Sequence, residues 1–531
     1  MGRLAVAIIE RTGFMKYIAG IDVGTTGAKC GIFSEDGVMV SSGYREYTCD
    51  YPNPGWVEQD VSLLTRMAFE ATKDALVNAG IDVRDVCSVS LSSQRSCSIF
   101  LDSNEAPLKM ISWQDNRTDE EVRYIAECMS HEEYYKITGL PLSTTWVITK
   151  MLWVRKNMPE LWSKTKRVVQ LHDYILRALG ADDYYVDIPD ALLSGLWDND
   201  RSEWSDRIID LFGIDRGLLP IAKICGTRVG SVSKEAAERT GLAEGTPICV
   251  GAGDQNSAAV GAGVIREGIA SVSIGTGGMT IILIDEPYRD PDMKAAIGSH
   301  AIFGKWQFEG YQTGSAGVFR WFRDEIAALE KAQAQEQGAD VYVKLNEMIR
   351  EIPPGAEGLV FLPLLASSAA PRWNPDARGT LCGLTFAHGR RHIARAVMEG
   401  ITLEQKDILK SMSVTGQKID KVRIVGGAAK SEIWCQIQAD MYGSKVETLR
   451  VPDAALVGAA IFAGLGVGLF PDIEEAVEKM VHAEKEYSPI AENVSVYNEL
   501  YEIYCKAYDA FDEFGVFSAI SGYQAKNATN E

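Results

Sequence analysis

The chain has 531 residues, of which 46% are hydrophobic and 24% charged, and its formal net charge at pH 7 is −20. This length exceeds what one hydrophobic core usually serves, so it predicts two domains of roughly 250 residues each with a ligand cleft between them. The acidic excess excludes a nucleic-acid partner and an anionic membrane surface, because both would require a basic patch.

The ten cysteines are scattered without a C-x-x-C pair, so their spacing indicates neither a zinc site nor a disulfide framework. The apolar run at residues 4–9 is flanked by charged residues and is too short for a membrane span or a signal sequence. We therefore predict a cytoplasmic protein in which residues 1–14 are a dispensable N-terminal extension and Met15 is an alternative start.

The first half of the chain begins with strands and continues as alternating helices and strands. Residues 17–34 predict two apolar strands joined by a Gly/Thr turn. A helix is predicted over Val61–Ala79, and short buried strands over Cys87–Leu91 and Ile99–Leu101. Residues 119–179 predict mostly helical structure.

The second half opens with the same pattern. Residues 248–263 predict a buried strand, a polar turn and a helix of small residues, and residues 270–285 predict a strand, a Gly/Thr turn and a strand. Residues 422–443 predict a strand, a Gly-Gly turn and a helix. Such duplicated units indicate two related α/β domains that face each other.

The first turn has the composition of a phosphate site. Gly24, Thr25 and Thr26 follow Asp22 at the end of a strand, and Lys29 lies three residues further on. Such a turn offers backbone N–H groups, close approach and hydroxyl donors to a phosphate, while an aspartate oxygen suits Mg²⁺. The alternative is a plain hairpin turn, because short glycine-rich motifs are weak evidence on their own.

Two later turns resemble it in composition. Gly275 and Thr276 would form a second phosphate turn, so that a triphosphate could be clamped between both halves. Gly426, Gly427 and Ala428 would let a base or ribose lie against the backbone, close to a helix N-terminus with its positive potential. The alternative for this third turn is close packing of a helix on a strand.

Asp254 lies between a buried strand and a helix of small residues. Its local position favours the role of a helix N-cap, for which aspartate is among the best residues. The functional alternative is a general base that takes the proton from an attacking hydroxyl.

The four motifs, in this order and spacing, resemble the FGGY family of carbohydrate kinases. The resemblance covers residues 17–508 and is made specific by two longer stretches, the family's C-terminal signature at residues 379–399 and half of its N-terminal signature at residues 150–157. It implies two ribonuclease H-like domains of the actin/hexokinase type around a central cleft. We expect a sugar-binding N-terminal domain over 15–263, a nucleotide-binding C-terminal domain over 264–490, and a helical segment and tail over 491–531.

The resemblance also implies the cosubstrate, the metal and the roles of single residues. Asp254 would be the catalytic base, and Asp22 the carboxylate associated with Mg²⁺. ATP would be bound by the residues of the three turns, namely Gly24, Thr25, Thr26, Lys29, Gly275, Thr276, Gly426, Gly427 and Ala428.

The substrate pocket of the family would include Arg95, Trp113, Asp254 and Gln255. For Arg95 the alternative is a surface salt bridge, and for Trp113 it is a place in the core. The stretches around these residues look partly like those of glycerol kinases and partly like the xylulose kinase branch.

The pocket departs from the glycerol kinase pattern at three positions. Ser96, Thr145 and Met279 stand where a carboxylate and two aromatic rings are usual, which puts glycerol in doubt. We therefore predict a pentulose such as xylulose as the substrate. Alternatives are a linear polyol (glycerol or erythritol), autoinducer-2, or a non-catalytic sugar sensor that binds nucleotide. A homodimer is a further prediction.

Overall fold

The computed structural model describes residues 16–528, so the predicted extension at residues 1–14 lies outside the described residues. Its first half contains thirteen strands, which are β1 (Tyr17–Val23), β2 (Gly27–Ser34), β3 (Met39–Glu46), β4 (Val86–Ser93), β5 (Ser98–Leu101), β6 (Pro107–Ile111), β7 (Arg167–Val169), β8 (Tyr185–Asp187), β9 (Trp197–Asp198), β10 (Glu203–Trp204), β11 (Ile221–Lys223), β12 (Arg228–Ser231) and β13 (Pro247–Gly253). Its α-helices are α1 (Val61–Ala79), α2 (Asp119–Cys128), α3 (His131–Thr138), α4 (Val147–Asn157), α5 (Pro159–Lys164), α6 (Leu171–Leu179), α7 (Ile188–Ala191), α8 (Asp206–Phe212), α9 (Lys234–Thr240) and α10 (Asp254–Gly261).

The second half contributes the remaining elements. Its strands are β14 (Ile269–Ile274), β15 (Gly278–Ile284), β16 (Ala296–Ser299), β17 (Trp306–Gln312), β18 (Val360–Leu362), β19 (Thr380–Cys382), β20 (Lys421–Gly426), β21 (Lys445–Leu449) and β22 (Ala483–Tyr487). Its helices are α11 (Ala316–Trp321), α12 (Ala328–Glu336), α13 (Val341–Arg350), α14 (Arg390–Met412), α15 (Glu432–Tyr442), α16 (Ala454–Gly466), α17 (Ile473–Met480), α18 (Ala491–Glu513) and α19 (Val516–Ala528).

The two large sheets share one strand order. The first sheet runs β12-β13-β4-β1-β2-β3, with β1, β4 and β13 parallel and β2 and β3 antiparallel to their neighbours. The second runs β16-β17-β15-β14-β20-β21-β22, with β14, β20 and β21 parallel. Both sheets share a run of three antiparallel strands (β3-β2-β1 and β17-β15-β14), two parallel strands and a final antiparallel strand (β12 and β22), and the second sheet adds β16 at one edge. This confirms the predicted repetition of one α/β unit.

Most of the local predictions are confirmed. Helix α1 has the predicted bounds, because Asp60 caps its N-terminus and Gly80, with φ 62°, ends it. Residues 119–179 are mostly helical as expected, but they also contain the short strand β7, which pairs with β5. Among the described residues no helix is long and apolar enough to cross a membrane.

The two halves meet where α10 crosses α16, and at this crossing backbone contacts backbone. A Cβ atom on Gly458 would lie 1.9 Å from the carbonyl oxygen of Ser257, and one on Gly261 would lie 1.9 Å from that of Ala454. Helix α16 also packs on the first sheet, where a Cβ on Gly20 would lie 2.5 Å from the carbonyl oxygen of Leu456. Only glycine permits this approach, and it fixes where α10 begins.

The Gly458→Ala variant tests this crossing. The added methyl group would overlap the backbone of α10, so we expect the free energy of unfolding to fall by about 1–3 kcal/mol, measured by denaturant titration. The control is Gly522→Ala in α19, where a Cβ meets nothing within 4 Å. The control should be neutral or stabilising by up to about 1 kcal/mol, because alanine is the better helix former. Equal stability of the two variants would contradict the close approach.

Candidate active site

Three predicted site residues lie at one edge of the first sheet. The strands β1, β4 and β13 are adjacent and parallel, with Asp22 opposite Ser92 and Ser93 opposite Gly253. Their carboxyl ends therefore bring Asp22, the turn after β4 and the start of α10 together. In open α/β sheets this edge is where ligands bind.

Asp22 is a partly buried carboxylate at this edge. Its Oδ1 accepts a hydrogen bond of 2.8 Å from the hydroxyl of Ser92. Burial and, to a smaller extent, the negative charge of Asp254 raise its pKa to about 7, against the lowering effects of Ser92 and Lys29. The site thus holds two neighbouring carboxyls whose charges repel each other, an arrangement that a bound cation would relieve.

Asp254 is the first residue of α10, and the prediction that it is the N-cap is wrong. Strand β13 continues to Gly253, which takes the cap position, so the Asp254 side chain makes no capping bond. Its Oδ1 instead accepts a 2.7 Å hydrogen bond from the N–H of Gln255. Burial raises the pKa of Asp254, although the nearby Arg95 works in the opposite direction. The Asp254 carboxylate therefore contacts the first turn of α10 without being its N-cap.

Arg95 is an internal residue, so the surface alternative is wrong. Its side chain is 15% exposed, and its Nε lies 3.4 Å from Asp254 Oδ1. Its Nη1 and Nη2 donate to the two carboxylate oxygens of Glu309 at 2.6 and 2.8 Å. Glu309 belongs to β17 of the second sheet, so this pair links both halves beside Asp254. Burial disfavours the charged guanidinium, but Glu309 and Asp254 outweigh it and raise the pKa of Arg95.

Trp113 is half-buried next to the first Gly/Thr turn. Its indole Nε1 donates to Thr25 Oγ1 at 3.3 Å, and the Thr25 carbonyl oxygen accepts from Gln59 Nε2 at 3.0 Å. Gln255 follows Asp254 in the first turn of α10 and is likewise partly buried. The pocket prediction for both residues is consistent with these positions and stays a prediction.

The two Gly/Thr turns occupy equivalent places in the two sheets but are closed differently, since the last paired residues are Val23 and Ala28 in the first and Ile274 and Gly278 in the second. Gly24 N–H donates to the carbonyl of Gly27 at 3.0 Å, and Gly275 N–H donates to that of Gly277 at 3.0 Å. Each turn joins the first two strands of its sheet, so their backbone N–H groups lie at equivalent edges. A ligand between the sheets could contact both turns.

The third turn lies beside the second one. Gly426 is the last residue of β20, has φ 84° and is opposite Ile274, the residue before the second Gly/Thr turn. Gly427 and Ala428 belong to a short 3₁₀ turn, and α15 begins only at Glu432. The predicted order of strand, Gly-Gly turn and helix is therefore confirmed, with a 3₁₀ turn between the glycines and α15, whose N-cap is Ser431.

Lys29 contacts the second half of the chain. Its Nζ donates to Asp453 Oδ1 at 2.8 Å, and both side chains are about two-fifths exposed, at 40% and 41%. Asp453 directly precedes α16 and makes no capping bond with that helix. This exposed pair contributes little to stability, but it holds the ammonium group at the mouth of the site.

Sequence reasoning missed Glu309 and Asp453. Glu309 gives a signal, since it is a lone acid in the apolar and aromatic stretch of β17. Asp453 precedes a helix and is typical of an N-cap, so nothing in its surroundings indicated a distant lysine. Both partners are more than 200 residues away along the chain.

Comparison with known proteins agrees with this architecture. The model of the FGGY family of carbohydrate kinases, N-terminal domain, matches residues 17–261, and that of the C-terminal domain matches residues 270–467. The chain belongs to the FGGY family of carbohydrate kinases. The expected fold class, two ribonuclease H-like domains of the actin/hexokinase type, is confirmed.

Individual FGGY kinases cover almost the whole chain. The gluconokinase of Bacillus subtilis (strain 168) is 30% identical over 498 residues, which is 92% of this chain and 94% of that protein. The xylulose kinase of the same organism is 29% identical over 496 residues, or 93% and 97% of the two chains. The ligand-bound xylulose kinase from Lactobacillus acidophilus superposes with a TM-score of 0.85 at 25% identity, covering 94% of this chain and 98% of that one. This FGGY kinase is therefore similar to enzymes named for different sugars.

The raised pKa of Asp22 predicts a pH-dependent effect of the Asp22→Asn variant. The pKa of Asp22 is about 7 in the folded protein, against 3.8 for an ordinary aspartate, so the folded state holds the proton more tightly than the unfolded state. The free energy of unfolding therefore falls as the pH rises between these two values. Asparagine carries no such charge. At pH 8.5 and without ligands, we expect the variant to be more stable than the parent protein by roughly 2–4 kcal/mol, and the difference to shrink towards pH 4.

Denaturant titration at several pH values measures this difference. The control is Asp292→Asn, which removes an exposed aspartate and should change stability by less than about 0.5 kcal/mol at every pH. A destabilised Asp22→Asn protein at pH 8.5 would contradict the account.

Proposed function

We propose that this FGGY kinase transfers the γ-phosphoryl group of ATP to a hydroxyl of a pentulose such as xylulose, with Asp254 as the general base. The observation that carries the proposal is the position of Asp254 at the carboxyl ends of the parallel strands, next to Asp22 and Arg95. Its carboxylate makes no helix cap and is accessible from the edge where ligands bind in such sheets.

The transfer conserves atoms and charge in one displacement. The acceptor hydroxyl oxygen attacks the γ-phosphorus, the bond to the β–γ bridging oxygen breaks, and ADP leaves. Asp254 takes the hydroxyl proton, a role for which its raised pKa suits it, since a base works best when its pKa is near the working pH. Positioning and charge neutralisation supply most of the remaining catalysis in phosphoryl transfer.

Asp22 fits the expected Mg²⁺ site. It is a hard oxygen ligand, and only one of its two oxygens is bound by Ser92. Burial is the main cause of its raised pKa, and the negative charge of Asp254 adds to it. The ion would neutralise phosphate charge when it is bound. Asp22 would hold it, directly or through water, beside the first Gly/Thr turn.

The three turns would bind ATP. Backbone N–H groups and hydroxyls of both Gly/Thr turns suit the phosphates, and Arg320 Nη2 lies 3.4 Å from Thr276 Oγ1, where it could add a positive charge. Lys29 would exchange Asp453 for a phosphate oxygen. The adenosine would lie on the third turn. The proposed ATP residues are those of the sequence analysis, namely Gly24, Thr25, Thr26, Lys29, Gly275, Thr276, Gly426, Gly427 and Ala428.

The pentulose would lie between the two halves. Trp113, Arg95 and Gln255 would surround its carbon chain and hydroxyls. The proposal of a substrate longer than glycerol rests on the departures from the glycerol kinase pattern at Ser96, Thr145 and Met279. The domain roles over 15–263 and 264–490, the cytoplasmic location and a homodimer stay predictions. Linear polyols and autoinducer-2 stay as alternative substrates.

A substrate panel tests the kinase proposal. We expect purified protein with Mg²⁺ and ATP to release ADP above the no-sugar blank with one class among pentuloses, hexuloses, linear polyols and autoinducer-2. Pentuloses should give the highest kcat/KM. Nucleotide binding with every acceptor at the blank level would contradict catalysis and favour the sugar sensor.

The Asp254→Asn variant tests the base. The amide keeps the size and the hydrogen bond to Gln255 but cannot take a proton, so kcat should fall by about 10²–10⁴ while the Kd for ATP stays within about threefold. Isothermal titration and a coupled ADP assay measure the two quantities. Turnover near that of the parent protein would remove Asp254 from this role.

A further inference from the structure

The guanidinium of Arg95 is already occupied by a carboxylate. Both of its terminal nitrogens donate to Glu309 in the two-pronged geometry that arginine uses for carboxylates. Its Nη1 also donates to Asn256 Oδ1 at 3.3 Å. Glu309 is held in turn by Gln307, whose Nε2 donates to Oε1 at 2.8 Å. The fork that would recognise the carboxylate of a substrate is therefore filled from within the protein.

The charges around Asp254 also disfavour an anion. Arg95 faces three carboxyls, since Glu309, Asp254 and Asp190 all act on its pKa. Glu309 is ionised, because Arg95 and Gln307 outweigh its burial and lower its pKa. The neighbouring His300 brings no positive charge at neutral pH, as burial lowers its pKa to about 4. Before any substrate binds, the Arg95 guanidinium is thus already shared between Glu309, which it binds through two hydrogen bonds, and Asp254, which lies 3.4 Å away.

We infer that Glu309 is a specificity residue that restricts the acceptor to uncharged polyhydroxy compounds and excludes aldonates, the open-chain sugar acids. This inference rests on the proposed function of the same site. An aldonate carboxylate would have to displace Glu309 from Arg95 or lie unpaired beside Asp254, and like charges placed next to each other in a binding site weaken binding. The inferred acceptor class thus differs from the substrate named for the gluconokinase of Bacillus subtilis, although that relative is as similar in sequence to this chain as the xylulose kinase is.

An uncharged acceptor meets no such penalty. Its hydroxyls can donate to the carboxylates of Glu309 and Asp254, and they can accept from the remaining N–H of Arg95 Nη2. A hydroxyl satisfies both kinds of partner, whereas a carboxylate only accepts hydrogen bonds. The same pair that excludes the anion therefore serves as a mixed donor and acceptor surface for a sugar.

The test compares D-gluconate with the best uncharged acceptor of the panel, and with D-glucitol, which has the same carbon chain with a hydroxymethyl group in place of the carboxylate. For the unmodified protein we expect kcat/KM for D-gluconate to be at least about 100-fold below that of the best uncharged acceptor. D-Glucitol should compete with that acceptor at lower concentration than D-gluconate.

The Glu309→Gln variant keeps the size and shape of the side chain but removes the carboxylate that pairs with the two terminal nitrogens of Arg95. The ratio of kcat/KM for the best uncharged acceptor to kcat/KM for D-gluconate should fall by at least about tenfold. The reason is that the negative charge of Glu309 is gone and Arg95 can pair with the substrate carboxylate. Glu309→Asp keeps the charge and should keep the exclusion of D-gluconate even if its kcat falls. Glu484→Gln, which removes an exposed glutamate on β22, should leave the ratio unchanged.

The outcomes separate this inference from the proposed function. A ratio below about 100 in the unmodified protein overturns the inference and leaves the kinase proposal in place. The inference is also overturned if Glu309→Gln lowers the ratio of kcat/KM for the best uncharged acceptor to that for D-gluconate by less than about tenfold. It is likewise overturned if D-gluconate and D-glucitol compete equally well with that acceptor. Failure of every uncharged and charged acceptor overturns the proposed function and the inference with it.

Discussion

The crossing of α10 and α16 is the constraint on which the site depends. Glycines at the crossing let the two helix backbones come into contact, and Gly20 of β1 allows α16 to pack equally closely on the first sheet. Because α10 cannot move along or away from α16, its first residue stays at the end of β13. The crossing therefore determines where the carboxylate of Asp254 lies relative to the strand ends of the first sheet, and Asp453 at the start of α16 reaches Lys29 for the same reason.

Charge is the second organising feature of the site. Three acidic side chains lie where the two halves meet, namely Asp22, Asp254 and Glu309. The buried guanidinium of Arg95 lies among them and interacts with Glu309 and Asp254. The pKa of Asp22 is raised mainly by burial and further by the negative charge of Asp254. A site with unsatisfied negative charge suits a metal-bound triphosphate and an uncharged sugar, and it is poorly suited to a second anion beside Asp254.

The sequence predicted the parts of the fold that depend on neighbouring residues. The helix at Val61–Ala79 and the Gly/Thr turns follow from local spacing and capping, and the repeated motifs indicated two similar sheets. Asp254 was misplaced by one residue because β13 extends to Gly253, and strand length depends on pairing with β4. Arg95–Glu309 could not be predicted, since it joins residues 214 positions apart whose proximity exists only after both halves have packed.

A structure of the protein with a non-hydrolysable ATP analogue, Mg²⁺ and D-xylulose would show whether Asp254 is the base. We expect one sugar hydroxyl within about 3 Å of an Asp254 carboxylate oxygen and in line with the γ-phosphorus. The phosphates should lie between the turns at Gly24 and Gly275, with the Arg95–Glu309 pair intact. A nucleotide bound away from these turns, or a sugar whose hydroxyls do not reach Asp254, would contradict the proposal.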